Sequence, residues 1–564
     1  MKTTPQNLIE HYRNEGWWGE ETLSDWLSAA VDSRPDELAL VDHDQRPVIM
    51  GGSVQRLSYA QMAEKVMVLC SQFYEAGIRM GDIVIVQLPN IAELPITYFA
   101  LDRLGAIISP VPVQYGRFEI NNAIAELSPA AYVTTYSLKN APFVDDKLSL
   151  FKGVCPVLCF GEPESPGIGH LDLHVENMGS ECSDYVGSLE RSADDIVTIC
   201  WTSGTTGQPK GVPRSHNHWR VSGFATIDTA EFSATDVLLN PFPLVNMAAI
   251  GGFLFPWIMC QSTLVLHHPF DLQGFLKQIE NEKVSYTIAA PAVLNMLLNE
   301  RGLLEAIDLS SLRAIGSGGA PLTEWMVRCF QEDYKIVVDN IFGSNEGLCL
   351  TSNGRDLPDA ADRAQYFPRL GLEGKVWGNR VAAMTKTRLV DLETREPVTE
   401  PGVRAELEIS GPSVFDGYWQ AEETNREVFS ADGYFRTGDV FEIPTGVDKR
   451  TYYRFVGRSK DIIVRGGMKI SPDEIDSVLA GHPMLAAAAV AGYDDPVMGD
   501  RIGVAVVPAL NEAPKLEDIT GYLKEQGLAI FKLPERLIVL DALPVNATGK
   551  VLRRELQNLF KKED

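Results

Sequence analysis

The chain has 564 residues, of which 45% are hydrophobic and 22% charged, with a formal net charge of -26. That length exceeds what one hydrophobic core fills, so two or more domains are expected, and the balance of apolar and charged residues excludes a fibrous or disordered chain. The acidity would repel a nucleic-acid backbone, and no basic stretch with interleaved aromatics offsets it, so an anionic substrate must be met by local positive groups.

The first segment, MKTTPQNLIEHYRNEGWWGEE, is polar and lacks the apolar centre of a secretory signal. The longest apolar stretch, Ala248 to Cys260, contains a proline and is too short to span a membrane. A soluble, cytoplasmic protein is the expectation. From about residue 58 the pattern alternates between helical and strand-like runs: YAQMAEKVMVLCSQFYEAG, DIVIVQL, ELPITYFALDRLG, AIISPVPV. The rhythm returns between Ile196 and Phe342 in VTICW, STLVLH, VSYTIAA, LRAIGS and KIVVDNIF. From Gly374 to Phe455 short strands such as TRLVDL and AELEIS alternate with Gly and Pro turns, and beyond Lys460 a short βαββαβ-like run follows. The expected fold class is therefore α/β: a large N-terminal domain, 1–458, of two α/β subdomains (about 1–190 and 191–373) plus a small β-rich subdomain (about 374–458). A small mobile α+β C-terminal domain, 459–564, completes it.

The eight cysteines are scattered, and the pair Cys155 and Cys159 has no second pair or histidine to complete a zinc site, so buried free thiols are expected. The histidines of Ser215-His216-Asn217-His218 and of His267-His268 read as local hydrogen-bonding groups for the same reason. The chemistry begins at Trp201-Thr-Ser-Gly-Thr-Thr-Gly-Gln-Pro-Lys-Gly211, which follows an apolar strand and precedes a helix-like stretch from His216. It reads as a strand-to-loop-to-helix phosphate cradle: glycines admit an anion to backbone N–H groups, hydroxyls add donors, and Lys210 adds charge. It lacks the G-x-x-x-x-G-K-[ST] of a Walker A loop.

This loop resembles that of the acyl-adenylate-forming (AMP-binding) superfamily, which spans acyl-CoA synthetases, aryl-acid ligases, luciferases and peptide-synthetase adenylation domains. Further motifs of that superfamily follow in order: Gly318-Gly-Ala-Pro-Leu322, Ile341-Phe-Gly-Ser-Asn-Glu346, Gly417-Tyr-Trp419, Tyr434-Phe-Arg-Thr-Gly-Asp439, Gly457-Arg-Ser-Lys-Asp461 and Pro544-Val-Asn-Ala-Thr-Gly-Lys550. Singly, Asp439 is a turn residue, Arg458 a solvated charge and Phe342 a core ring; their shared order favours the family's roles. The resemblance implies ATP, Mg2+ and CoA as cofactor, metal and co-substrate, with catalytic roles for Lys550, Glu346 and Thr205. Thr202, Ser203, Gly204, Thr205, Thr206, Gly207 and Lys210 would hold phosphates. Gly319, Ala320 and Pro321 would face adenine, with Phe342 stacking and Asn340, Ile341, Gly343 and Asn345 beside it. Asp439 would accept from the ribose hydroxyls, Arg458 would donate from the domain junction, and Glu346 would hold Mg2+. Lys550 would stabilise charge on the phosphoryl oxygens during carboxylate attack. The C-terminal domain would then swing about Lys460, with Gly466 and Gly467 facing the incoming thiol.

Three departures stand out. Asn345 replaces the usual Thr yet offers an amide donor to a phosphate, and Phe342 replaces a Tyr. Asn246, where many acyl-CoA synthetases have His, would bond a polar substituent of the acid or only shape its loop. The segment 241–252 has no acidic residue for an amino acid's ammonium. Ala248, Ala249, Gly251, Gly252 and Ser317 to Gly319 would leave room in the acyl pocket, and Met247, Ile250 and Leu348 would make it apolar. The expected activity is an acid-thiol ligase of acyl-CoA synthetase type taking an aromatic or alicyclic acid. A fatty acid, or a carrier protein in place of CoA, stands as the alternative; homodimerisation is left open. A dinucleotide oxidoreductase needs G-x-G-x-x-G, and GSGGAP at 316–321 ends in proline. A non-catalytic scaffold would be expected to lack Glu346, Asp439 or Lys550.

Overall fold

A computed structural model describes all residues except 176–178, 203–208, 348, 466–467, 496–498, 510–512, 527, 547–548 and 562–564. Local chemistry accounts for its elements. The helix Tyr59–Glu75 starts at a capping box, Ser58 with Gln61, and buries Met62, Val66, Leu69 and Phe73 along one face at helical spacing. The strand Ile83–Gln87 is buried along its whole length, as a parallel strand covered on both faces must be.

Two α/β sheets carry the N-terminal part. In one, the neighbours in space are Lys210–Ser215, Ile196–Thr202, Ile107–Pro110, Ile83–Gln87, Ala131–Thr135, Val157–Phe160 and Ile168–Leu171. In the other they are Cys349–Ser352, Val337–Gly343, Ala314–Gly318, Tyr286–Ile288, Val237–Asn240, Thr263–Leu266, Leu38–Val41 and Arg56–Ser58. The chain therefore does not divide between sheets at residue 190. Leu38–Val41 pairs in parallel with Thr263–Leu266, and Ile196–Thr202 crosses back to pair with Ile107–Pro110. Such pairings, Thr198 with Ile108 and Leu40 with Leu264, lie beyond the reach of local pattern.

The β-rich unit is an antiparallel sheet ordered Tyr366–Pro368, Tyr452–Arg458, Phe435–Glu442, Arg404–Ser410, Lys386–Val390, Pro397–Val398. It begins ahead of residue 374, because Tyr366–Pro368 pairs with Tyr452–Arg458, and it admits the short helices Val381–Met384 and Glu422–Val428. The C-terminal region has a core of its own, built on Ile463, Ile475, Val490, Val504 and Ile519. Its first strand is a hairpin of Ile463–Arg465 with Met468–Ile470, and the helix Arg553–Lys561 closes the fold after Lys550. Among the described residues no helix is long and apolar enough to cross a membrane.

Candidate active site

The segment leading into the phosphate loop differs from the expected strand–loop–helix. Ile196–Thr202 pairs antiparallel with Lys210–Ser215, so the loop closes a hairpin, and the helix His216–Ala230 starts only after that second strand. Pro213 within KGVPRS disguises the strand in sequence; at a sheet edge a missing donor is tolerated. Ser203, Gly204, Thr205, Thr206 and Gly207 lie outside the described residues. The flanking residues are placed: Thr202 pairs with Lys210 across the hairpin, and the Lys210 ammonium lies 4.9 Å from the centre of the Tyr418 ring.

Tyr418 links this hairpin to Glu346. Its hydroxyl donates to Glu346 Oε1 at 2.8 Å, and the Trp419 N–H donates to Gly211 O at 2.8 Å. Glu346 is buried and its carbonyl accepts from Phe415 N at 2.9 Å. The next residue, Gly347, has φ +106°, and a β-carbon there would fall 1.9 Å from Ser413 O. Glycine is thus what lets the Glu346 turn seat against the 413–415 segment. Next to it, Asn345 is bonded at three atoms: Nδ2 donates one N–H to Trp201 O at 3.0 Å, Oδ1 accepts from Met247 N at 2.8 Å, and its backbone carbonyl accepts from Arg214 at 2.8 Å. One of the two amide N–H groups expected to serve a phosphate is therefore committed to tying neighbouring segments together.

Asp439 and Arg458 face each other across the hairpin Phe435–Glu442 and Tyr452–Arg458, with Arg458 Nε 3.4 Å from Asp439 Oδ1. Burial pushes the Asp439 carboxyl up to about 6, against the pull of Arg458 and Lys550, and Glu346 adds to the rise. Lys550 reaches this pair through a chain of contacts. Asn546 closes its turn, taking Lys550 N on Oδ1 and donating its own N–H to Lys550 O, each at 2.8 Å. Arg553, on the following helix, donates to Asp476 at 2.8 Å in the helix Pro472–Leu479. The cap of that helix, Ser471, donates to Val456 O on the strand that ends in Arg458. Although Lys550 keeps exposed surface, crowding at the junction desolvates its ammonium and Arg458 repels it, drawing it down to about 8 against Asp439, Asp473 and Asp461. Lys460 lies in the tight turn after Arg458, where Asp461 N and Ile462 N both donate to Arg458 O. Gly466 and Gly467 lie outside the described residues.

On the adenine side, Gly319 and Ala320 are exposed, Gly318 and Pro321 half-buried, and Gly343 exposed. Phe342 is half-buried, its ring 5.2 Å from Phe441 and 5.0 Å from Phe455. Asn340 commits its donors to the neighbouring helix: its Nδ2 donates to the carbonyls of Arg363 and Ala364. On the acyl side, Asn246 caps a helical turn by accepting from Ala249 N at 3.4 Å. Met247 fills the space expected beside Gly251, since a β-carbon there would lie 2.7 Å from its sulfur. Ser317 is fully buried and donates to Ala289 O; Ile250 is buried in the core, and Leu348 lies outside the described residues.

Arg214 escaped the sequence reading. Wholly buried, it donates to Asn345 O, His218 O, Ser222 Oγ and Ser413 O, and desolvation draws it down to about 10. Tyr418 was visible only as part of a motif without an assigned task. Outside the site, His218 caps against Ser215, a local hydrogen-bonding role, whereas His216 contacts Asp102, 114 residues away, at 2.6 Å. A donor cluster of His43, Asp44 and His267 lies close together, but the ring nitrogens bond Asp44, Pro269 O, Gln278 and Asp271.

The profile of the AMP-binding enzyme family matches residues 27–419, and that of the AMP-binding enzyme C-terminal domain matches 474–550. The chain belongs to the AMP-binding enzyme family. Membership carries ATP use and AMP-forming ligase chemistry. Among curated relatives, pyochelin synthase PchD of Pseudomonas aeruginosa is 28% identical, over 99% of this chain and 96% of its own length. The 2,3-dihydroxybenzoate-AMP ligase of Bacillus subtilis is 28% identical over 98% and 96%, and a feruloyl-CoA synthase of Amycolatopsis sp is 29% identical over 89% and 94%. Among solved structures, the amide bond synthetase McbA from Marinactinospora thermotolerans has a TM-score of 0.76 at 23% identity, covering 96% of this chain and all of that one. It shares the fold.

Proposed function

We propose that this enzyme adenylates an aromatic acid with ATP and passes the acyl group to the thiol of a carrier protein. The observation that supports adenylation most directly is the convergence of Asp439, Arg458 and Lys550 from two ends of the C-terminal third. Asp439 accepts from the ribose hydroxyls. Arg458 and Lys550 supply the positive charge that an acidic protein must concentrate where phosphoryl charge grows. The acid's carboxylate oxygen bonds to the α-phosphorus as the bond to pyrophosphate breaks. The thiol then bonds to the acyl carbon and AMP leaves.

Glu346 fits Mg2+: one oxygen is held by Tyr418, which orients the carboxylate and leaves Oε2 as a hard ligand. When bound there, the ion would neutralise phosphate charge. The aromatic acid is favoured by the relatives that match nearly the full chain, two of which are named as 2,3-dihydroxybenzoate-AMP ligases. Asn246, with Oδ1 capping its helical turn, would offer its amide nitrogen to a ring substituent. The carrier protein replaces CoA as our first reading because those names end at the adenylate; the feruloyl-CoA synthase similarity keeps CoA as the second. Residues 459–564 would rotate about Lys460 between the two steps.

Pyrophosphate exchange across benzoates, alicyclic acids and fatty acids tests the acid. Offering CoA and a phosphopantetheinylated carrier protein to the competent mixture then tests the acceptor. Exchange confined to fatty acids, or thioester formed with CoA alone, defeats the corresponding part.

A further inference from the structure

Two buried polar side chains behind the acyl segment have no hydrogen-bond partner among the described residues: the Tyr286 hydroxyl, and both oxygens of Asp339. Tyr286 is 0% and Asp339 1% exposed. Native interiors seldom leave such groups unpaired, so their shared position is informative.

That position follows from strand register. Tyr286–Ile288, Ala314–Gly318 and Val337–Gly343 are parallel neighbours, with Ile288 opposite Gly316 and Gly316 opposite Asp339. Alternate residues share a face, which puts Tyr286, Ile288, Gly316, Asp339 and Ile341 on one side of the sheet. The same side meets the acyl segment: a β-carbon on Gly252 would lie 3.2 Å from Ile288 Cδ1. At Gly316 a β-carbon would lie 2.4 Å from Tyr286 Oη, 2.7 Å from Ile341 Cδ1 and 2.9 Å from Ile288 Cγ1. The missing side chain of Gly316 therefore gives the tyrosine hydroxyl its place between the two isoleucines. The exposed adenine wall begins at Gly319, three residues further along the strand direction, so Gly316 lies roughly 10 Å deeper at about 3.3 Å per residue.

We propose that Tyr286 and Asp339 form the polar floor of the acyl pocket and select an aromatic acid with a hydrogen-bonding substituent on the ring edge remote from its carboxylate. The inference rests on the aryl-acid reading above. Burial pushes the Asp339 carboxyl up to about 8 despite Arg363, Arg313 and Arg355, and Glu231 adds to the rise. At neutral pH it is a neutral acid that donates as well as accepts, so an uncharged hydroxyl or amino group suits the pair and an anionic substituent does not.

The test is the ratio of kcat/KM for 4-hydroxybenzoate over benzoate in pyrophosphate exchange, measured for the wild type, Tyr286→Phe and Asp339→Asn. We expect the wild type to prefer 4-hydroxybenzoate and Tyr286→Phe to cut the ratio about tenfold, as loss of one buried hydrogen bond would. Asp339→Asn, which keeps a donor and an acceptor, should cut it less. A merely structural role would lower both substrates together. A ratio unchanged in Tyr286→Phe, or a wild type that favours benzoate, overturns the proposal while leaving aryl-acid adenylation intact. A wild type that exchanges fatty acids and no benzoate overturns both. Should Tyr286→Phe fail to fold, Gly316→Ala, which displaces the hydroxyl, takes its place with the same expected fall in the ratio.

Discussion

The nucleotide side and the acyl side are built on opposite principles. Around Asp439, Arg458 and Lys550 the charged groups crowd one another, and crowding moves both Asp439 and Lys550 towards neutrality. Around Asn246, Met247 and Asn345 the side-chain amides are already engaged by backbone, and the space beside Gly251 is filled by methionine. Catalytic charge is held ready, whereas shape is fixed by internal bonds. Variants on the two sides should therefore fail differently: the first in rate, the second in the identity of the acid.

The largest effect is expected from Lys550→Ala, with adenylation falling on the order of 10²- to 10³-fold in pyrophosphate exchange. Pre-made acyl-adenylate given to the same variant with a thiol acceptor should still yield thioester at near the normal rate. An equal collapse of both steps would break the division of labour between Lys550 and the rotated domain. Tyr418→Phe should lower exchange about tenfold by loosening the Glu346 carboxylate, partly restored by raised Mg2+. On the acyl side, Asn345→Thr removes the amide that spans Trp201 and Met247. We expect a changed order of preference across a benzoate panel with a smaller loss on the best acid; a uniform loss instead would assign Asn345 to the nucleotide side.

The pH profile sharpens the contrast. Asp439 must be ionised to accept from ribose, and it protonates as pH falls through about 6; Lys550 must be protonated, and it loses its proton as pH rises through about 8. The kcat/KM for exchange should therefore be bell-shaped between those values, and Lys550→Arg should remove the alkaline limb. The smallest effect concerns stability. His267 and His268 are buried neutral, each drawn down to about 4 by desolvation. Since their unfolded value is near 6.5, stability should hold above about pH 6.5 and decline as pH falls from there towards 4. His268→Asn should flatten that decline in a Tm series.

Much of the nucleotide side could be read from the sequence because its motifs stand in the order of the AMP-binding family. Taken singly, Asp439 reads as a turn residue and Arg458 as a solvated charge, and only that shared order joins them to Lys550. The acyl side resisted because an amide's role depends on which backbone it meets. Asn345 bonds Trp201, 144 residues away, and no local pattern carries that distance. Nor could the sequence show that Asn340's donors are taken by residues 363 and 364. The alternating α/β rhythm was legible, but not the exchange of strands between sheets, nor the edge strand hidden by Pro213.

The three-way tie at Asn345 also limits how the enzyme could be retargeted. A library confined to residues 246–252 would leave its amide pinned to Trp201, so each altered acyl loop would tug on the strand that feeds the phosphate hairpin. Productive exchange of acid specificity should need positions 201, 247 and 345 transplanted as one cassette, with Arg214 left in place as the fixed post beneath them.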